Sequence, residues 1–180
     1  MSKTTTLPPP NLTLRRIFMR DLPAIIEIEQ QPTMRWPLRD LRAVLQSSNA
    51  AGWVAEINGR VVGFLIYVVG LQADTGSADS VAGSKNRLSS VSRPHTGQPL
   101  HITLLNMAVA PVWQRTGLGR ALLAKLNQAL QHPRDRIQTT VPESNLGAQL
   151  LLRAAGYKAV RVLRGFFDCD DGYLFERRHD

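Results

Sequence analysis

The chain has 180 residues, 43% hydrophobic and 20% charged, enough for one domain with a real core and too few for two comfortable ones. No apolar run is long enough to cross a bilayer, and no apolar leader follows Met1. The single cysteine allows neither an internal disulfide nor a metal-ligand spacing, so the expected setting is a reducing cytoplasm.

The formal charge of +8 and a pI near 10.5 point to an anionic partner. Residues 1–20 hold four cations and no anion, and residues 100–152 hold five cations against Asp135 and Glu143. No basic block interleaved with aromatics occurs, and no helix-turn-helix or zinc-finger spacing either, so nucleic acid is not the expected main partner.

Residues 1–10 read as a flexible tail ending in the stiff spacer Pro8-Pro9-Pro10, with a single domain over 11–180. Leu12 to Ile17 alternates as a first strand. Asp21 is the expected N-cap of a helix beginning Leu22-Pro23, with Ala24, Ile25 and Ile28 as its apolar stripe. A second short helix is expected from about Pro37, with Leu38, Leu41, Val44 and Leu45 at helical spacing. Trp53–Ile57 and Val61–Val69 flank Asn58-Gly59, a hairpin signal because both turn residues tolerate positive φ.

Residues 70–99 are rich in Gly and Ser and aperiodic, and read as a mobile insertion, either a disordered connection or a lid facing substrate. Leu100 to Ala110 is a long strand whose alternation changes phase between Leu104 and Leu105. An inserted residue, a β-bulge, would restore one continuous face; a strand buried on both faces would read the same way. Leu118, Ala121, Leu122, Leu126, Ala129 and Leu130 mark an amphipathic helix. A strand over Ile137–Val141 follows, then a helix capped by Ser144 or Asn145 and ended by Gly156. Val160–Phe167 and Tyr173–Phe175 are the last strands, around a turn at Asp170-Asp171-Gly172. The order is β-α-α-β-β-β-α-β-α-β-β, an α/β (α+β) arrangement.

Between strand and helix lies Gln114-Arg115-Thr116-Gly117-Leu118-Gly119-Arg120. The first helical N–H groups have no partner within the helix, and the helix dipole adds positive potential there, which makes an anion site. Gly117 and Gly119 remove side chains where a phosphate would approach, and Arg115 and Arg120 can add charge-assisted bonds. Two glycines alone would equally suit a helix cap.

Gln114-x-x-Gly117-x-Gly119 fits the Gln/Arg-x-x-Gly-x-Gly/Ala signature of the GNAT superfamily of acyl-CoA-dependent N-acetyltransferases, which the chain resembles. The likeness extends over Leu105–Pro111, Trp113–Leu123, Glu143-Ser144-Asn145 and Ala154-Ala155-Gly156-Tyr157, and is most similar to the bacterial ribosomal-protein alanine N-acetyltransferases, the RimI type. The resemblance implies the GNAT fold, a central mixed, mostly antiparallel sheet flanked by helices, and acetyl-CoA as cosubstrate without a metal. It places the pantetheine arm against the backbone of Met107, Ala108 and Val109, the pyrophosphate on Arg115, Thr116, Gly117, Leu118, Gly119 and Arg120, and Asn145 near the acetyl end. A bulge that parts two strands for the thioester is also a family feature.

The RimI-type glutamate and tyrosine that carry the proton transfers are absent at the aligned positions, which hold Thr140 and Leu152. Glu143, acting through a water, and Tyr173, protonating the leaving thiolate, are the substitute candidates, each with a plain surface or packing role as its alternative. His101 reads as structural. Cys169 sits among Asp168, Asp170 and Asp171, whose carboxylates would raise its pKa, so a covalent cysteine mechanism is not expected. The reading is an N-acetyltransferase acting on a primary amine, a peptide N-terminus or small amine, with no membrane partner and a monomer or homodimer left open. The rivals are a non-catalytic acyl-CoA-binding module and a basic ribosome- or RNA-associated protein.

Overall fold

A computed structural model describes residues 11–29, 38–71, 99–167 and 170–179. The tail 1–10, the helix start at Pro37, residues 72–98 of the expected insertion, and Asp168 and Cys169 lie outside the described residues. Seven strands form one sheet in the order β1-β2-β3-β4-β5-β7-β6. They are β1 (Leu12–Arg16), β2 (Ala50–Ile57), β3 (Arg60–Leu71), β4 (Leu100–Val109), β5 (Arg136–Pro142), β6 (Lys158–Phe167) and β7 (Asp170–Arg178). Every neighbouring pair is antiparallel except β4 and β5. Helices α1 (Leu22–Glu29) and α2 (Leu38–Gln46) cover one face; α3 (Leu118–Asn127) and α4 (Leu146–Ala154) cover the other.

The sheet thus separates two apolar clusters. Ile25, Ile28, Leu41 and Leu45 pack with Val54, Phe64 and Ile66 on one side. Leu118, Leu122, Leu126 and Leu152 pack with Ile102, Ile137 and Phe175 on the other. Among the described residues no helix is long and apolar enough to cross a membrane. The expected element order is observed. The β2–β3 turn has φ of 50° at Asn58 and 78° at Gly59, the two left-handed residues that match strand twist in a two-residue hairpin.

Three local expectations are corrected. Asp21 does not cap α1: the chain first makes a 3-10 turn over Met19–Asp21, and the carboxylate turns back. It accepts from the Phe18 N–H at 2.8 Å and from both Nη atoms of Arg15 at 2.8 Å. Burial by itself would raise the pKa of Asp21, but the Arg15 fork and the Phe18 N–H together outweigh it and hold the group below its ordinary value. Residues 70 and 71 belong to β3, opposite His101 and Leu100, so the break in regular structure begins after them. Asp170, Asp171 and Gly172 form the start of β7 rather than a turn. A Cβ at Gly172 would lie 2.8 Å from Thr140 Cγ2 and 3.0 Å from Phe166 Cβ, so this glycine serves close packing across the sheet.

Gly52 is the tighter case. In the middle of β2, a Cβ there would stand 2.6 Å from the Leu65 carbonyl oxygen and 2.8 Å from Ile17 Cγ2. A main-chain oxygen cannot rotate away as a side chain can. Gly52→Ala is expected to cost about 1–3 kcal/mol, read as a lower urea midpoint at unchanged m. A midpoint equal to wild type would show that the sheet has slack at this point.

Candidate active site

Strand β4 carries an inserted residue. Ile66 pairs with Asn106 and Tyr67 with Leu104, which leaves Leu105 without an opposite number on β3. The bulge decides between the two readings of the phase change. Leu100, Ile102 and Leu104 before it, and Met107 and Val109 after it, all belong to the cluster under α3 and α4. It also ends the pairing with β5, which runs only from His101↔Arg136 to Thr103↔Gln138. Beyond that point β5 continues against β7 and β4 against β3, so the two parallel strands part and leave a gap.

Backbone groups alternate in direction along an antiparallel ladder. The Ala110 N–H bonds the Val62 carbonyl on β3, so by alternation Ala108 also turns its groups to β3, while Met107 and Val109 turn theirs toward the gap. The Val109 carbonyl accepts from Gln114 Nε2 at 3.1 Å, which ties the far end of β4 to the loop that follows.

That loop passes through a 3-10 turn over Pro111–Trp113 into α3. Arg115 is left-handed at φ 62°, and Gly117, the α3 N-cap, is left-handed at φ 89°. Between them Thr116 Oγ1 donates to the Trp113 carbonyl at 2.6 Å. The Gly117 carbonyl receives the first helical bond, from Ala121 N at 3.0 Å, so the N–H groups of residues 117–120 precede the helical ladder. Arg115 and Arg120 are exposed beside them and make no ion pair among the described residues. Amides at a helix N-terminus, two guanidinium groups and no carboxylate suit a diphosphate. The two glycines have different jobs. Gly117 supplies the left-handed turn, whereas a Cβ at Gly119 would stand 3.0 Å from Leu151 Cδ2, so its bareness serves the α3–α4 contact.

Across the gap, the loop from β5 to α4 is fixed on several sides. Asn145 Oδ1 accepts from Ala148 N at 3.1 Å, which makes Asn145 rather than Ser144 the cap of α4. The Glu143 N–H bonds the Asp171 carbonyl at 2.9 Å, Ser144 N bonds Asp170 Oδ2 at 2.9 Å, and the buried Gln149 donates to the Glu143 carbonyl at 2.8 Å. These ties bring together the two candidate proton carriers. Tyr173 Oη donates to Glu143 Oε1 at 2.8 Å, across a separation of 30 residues. The hydrogen bond to the Glu143 carboxylate pushes the Tyr173 phenol above its ordinary value. Thr140 pairs with Leu174 in the sheet, and Leu152 is buried in the core, so the position of Leu152 is a packing position.

Glu29 was missed by sequence reasoning. It ends α1 on the buried side with Ile25 and Ile28, and its carboxylate accepts from Asn106 Nδ2, one residue past the bulge. The available signal was a carboxylate at the i+4 position from Ile25, in the apolar stripe itself. His101 is structural as expected. Its Nε2 meets Gln138 Oε1 at 2.8 Å, at the end of β4 away from the gap, and burial lowers its pKa. No metal-binding cluster of His, Cys, Asp or Glu occurs among the described residues.

The comparisons follow this geometry. The model of the acetyltransferase (GNAT) family matches residues 13–157. An N-alpha-acetyltransferase of Sulfurisphaera tokodaii is 27% identical over 165 residues, covering 89% of each chain. Among solved structures, the ribosomal-protein-S18-alanine N-acetyltransferase of Escherichia coli superposes with a TM-score of 0.67 at 23% identity, covering 92% of each chain. Arabidopsis thaliana NAA60 in complex with a bisubstrate analogue superposes at 0.72 and 20% identity, covering 94% of this chain and 99% of that one. At these identities the two structures speak for the fold.

Proposed function

This chain belongs to the GNAT acetyltransferase family and is an N-acetyltransferase, and on that premise we propose that it moves the acetyl group of acetyl-CoA to the α-amine of a peptide or protein N-terminus. The observation that carries the reading is the parting of β4 and β5 at the bulge, with the left-handed Gly117 turn and the N-terminus of α3 at one end of the parted strand and the Tyr173–Glu143 hydrogen bond on the β5 side. The relative from Sulfurisphaera tokodaii is an N-alpha-acetyltransferase, and NAA60 has been crystallised with acetyl-CoA. Both support the donor and the acceptor class.

In this reading Met107 and Val109 offer backbone groups to the pantetheine arm, with Ala108 holding the strand to β3 between them. Residues Arg115 to Arg120 hold the pyrophosphate, and Asn145 stands near the acetyl end. Acetyl-CoA supplies a thioester whose C–S bond is exchanged for an amide bond to the acceptor nitrogen. The amine must be neutral to react. Glu143 accepts its proton through a water, and Tyr173 holds a proton at Oη for the departing sulfur. The hydrogen bond between them lets the proton on Glu143 return to Tyr173 once the sulfur is protonated. The second proton that the nitrogen sheds as the amide forms leaves to solvent through the same water, so the pair ends each cycle as it began.

The acceptor class follows from magnitude. Neutralising an α-amine of pKa near 8 at pH 7 costs about 1.4 kcal/mol, against about 4.6 for a lysine near 10.4. The smaller cost suits a site whose candidate base acts through a water. The test is a melting-temperature series with coenzyme A and acetyl-CoA, then thiol release with peptides carrying a free N-terminus, a blocked N-terminus, or a lysine alone. Cofactor should raise the melting temperature by mass action, and only the free N-terminus should turn over well. An unchanged melting temperature would overturn the donor; lysine turnover equal to that of the free N-terminus would overturn the acceptor.

A further inference from the structure

Half of one sheet face carries no helix among the described residues. α1 and α2 pack over β2, β3 and β4, and their cluster takes no residue from β5, β6 or β7. Along β5, Ile137 and Val141 belong to the cluster under α3 and α4, so Arg136, Gln138 and Thr140 point the other way. Cross-strand partners share a face, which adds Arg178 and Glu176 from β7 and Lys158 and Arg161 from β6. Four cations thus meet one carboxylate. Glu176 is already occupied: one oxygen accepts from Arg178 Nε at 2.6 Å and the other from Gln138 Nε2 at 2.7 Å. Arg136 stands directly opposite Arg178, a destabilising like-charge pair, and its buried Nε has no hydrogen-bond partner among the described residues. Arg136, Lys158 and Arg161 make no ion pair among the described residues either.

We propose that this face holds the acceptor chain behind its reacting N-terminus, and that the acceptor carries acidic residues from about its fourth position onward. The inference rests on the N-terminal acceptor reading above. Charge complementarity and continuity with the site carry it. The gap between β4 and β5 opens beyond Thr103↔Gln138, and Thr140, on the cationic face, borders it. The turn assigned to the diphosphate lies at α3, on the other side of the sheet, so a bound cofactor leaves this face as the way in for the amine. Thr140, Leu174 and Arg161 form one cross-strand row, and strands about 4.8 Å apart put Arg161 about 10 Å from the gap edge. An extended chain covers that distance in about three residues. Lys158 opposite Glu176, and then the Arg136–Arg178 pair, follow in rows about 7 Å apart. Alternate side chains of an extended peptide have the same spacing. A nucleic-acid backbone would meet the same charges, but no Phe, Tyr or Trp stands in these rows to stack a base.

The test uses the whole chain and peptides of about ten residues that share their first three and carry either Glu or Gln at alternate positions thereafter. In initial-rate acetylation at low ionic strength, the Glu peptide should show a KM about tenfold or more lower at equal kcat. The preference should fade in about 1 M salt, where the screening length is about 3 Å. Lys158→Gln with Arg161→Gln should bring the two KM values together. Arg60→Gln with Arg153→Gln removes the same charge from β3 and α4 and should leave the preference intact. All four side chains are exposed, and circular dichroism checks that the variants fold. Equal KM values in wild type, or the same loss in both double variants, would overturn the proposal and leave the N-terminal acceptor reading standing. So would a short RNA duplex that removes the Glu preference at concentrations below the peptide KM, since the face would then belong to a phosphate backbone. Absence of turnover with every peptide would instead overturn the acceptor reading. Fluorescence anisotropy with the same peptides blocked at the N-terminus needs no turnover, and equal binding of the Glu and Gln forms there would overturn the face assignment by itself.

Discussion

Gly117→Asp is expected to lower coenzyme A affinity by about a hundredfold or more while leaving the protein folded. Aspartate is among the better N-caps and among the few residues that tolerate left-handed φ, so the strain at φ 89° is offset by a bond from its own carboxylate to the first amides of α3. Those are the amides proposed to hold the diphosphate. The carboxylate both occupies them and repels the ligand, and one like-charge pair at 4 Å is worth about 4 kcal/mol at the effective dielectric of a protein surface. Titration calorimetry measures the loss, and an unchanged melting temperature without ligand shows that the fold survives. Affinity within twofold of wild type would mean that the diphosphate lies elsewhere, and the assignment of residues 115 to 120 would fall with it.

The second large effect concerns the Tyr173–Glu143 pair. Glu143→Gln and Tyr173→Phe are each expected to lower kcat about 10²- to 10³-fold, with little change in KM for acetyl-CoA. Their pH dependence separates the roles. The Glu143→Gln defect should be largest near pH 7 and shrink as pH passes the α-amine pKa of about 8, because the acceptor then arrives neutral. The Tyr173→Phe defect should stay constant over that range. The Glu143 carboxylate raises the phenol above its ordinary value, so wild-type Tyr173 keeps its proton throughout and its removal is felt equally at every pH. Were the pair merely structural, both defects would be independent of pH and would track a lower melting temperature. If the two groups act as one unit, as proposed, the double variant should lose no more than about the larger single.

Much of the fold was legible because the signals are local. Asn58-Gly59 specifies its hairpin through two positive φ angles that few other residue pairs accept. The phase change at Leu105 was readable because a strand turns alternate side chains to opposite faces, so an inserted residue leaves its mark on the pattern itself. The strand–loop–helix unit around Gly117 likewise carries its own capping geometry. Asp21 misled for a related reason. Its cap-forming chemistry was visible, but the cation that captures it, Arg15, stands six residues earlier in β1 and reaches it only because of the 3-10 turn between them.

What the sequence by itself determined is therefore the order and kind of the elements, the phase change in β4 and the glycine-rich turn before α3, since each depends on neighbours within one strand or one turn. The pairing of β3 with β4 decided that the phase change is a bulge. Only the tertiary structure decided that Glu143 and Tyr173 meet, that Glu29 lies against Asn106, and that Gly119 and Gly172 serve contacts between elements. The reason is topological. β7 inserts between β5 and β6, and this crossing places Tyr173 beside Val141 and within reach of the loop that carries Glu143. Such a placement follows from how whole layers bury their apolar faces together, and no window of the chain contains both partners.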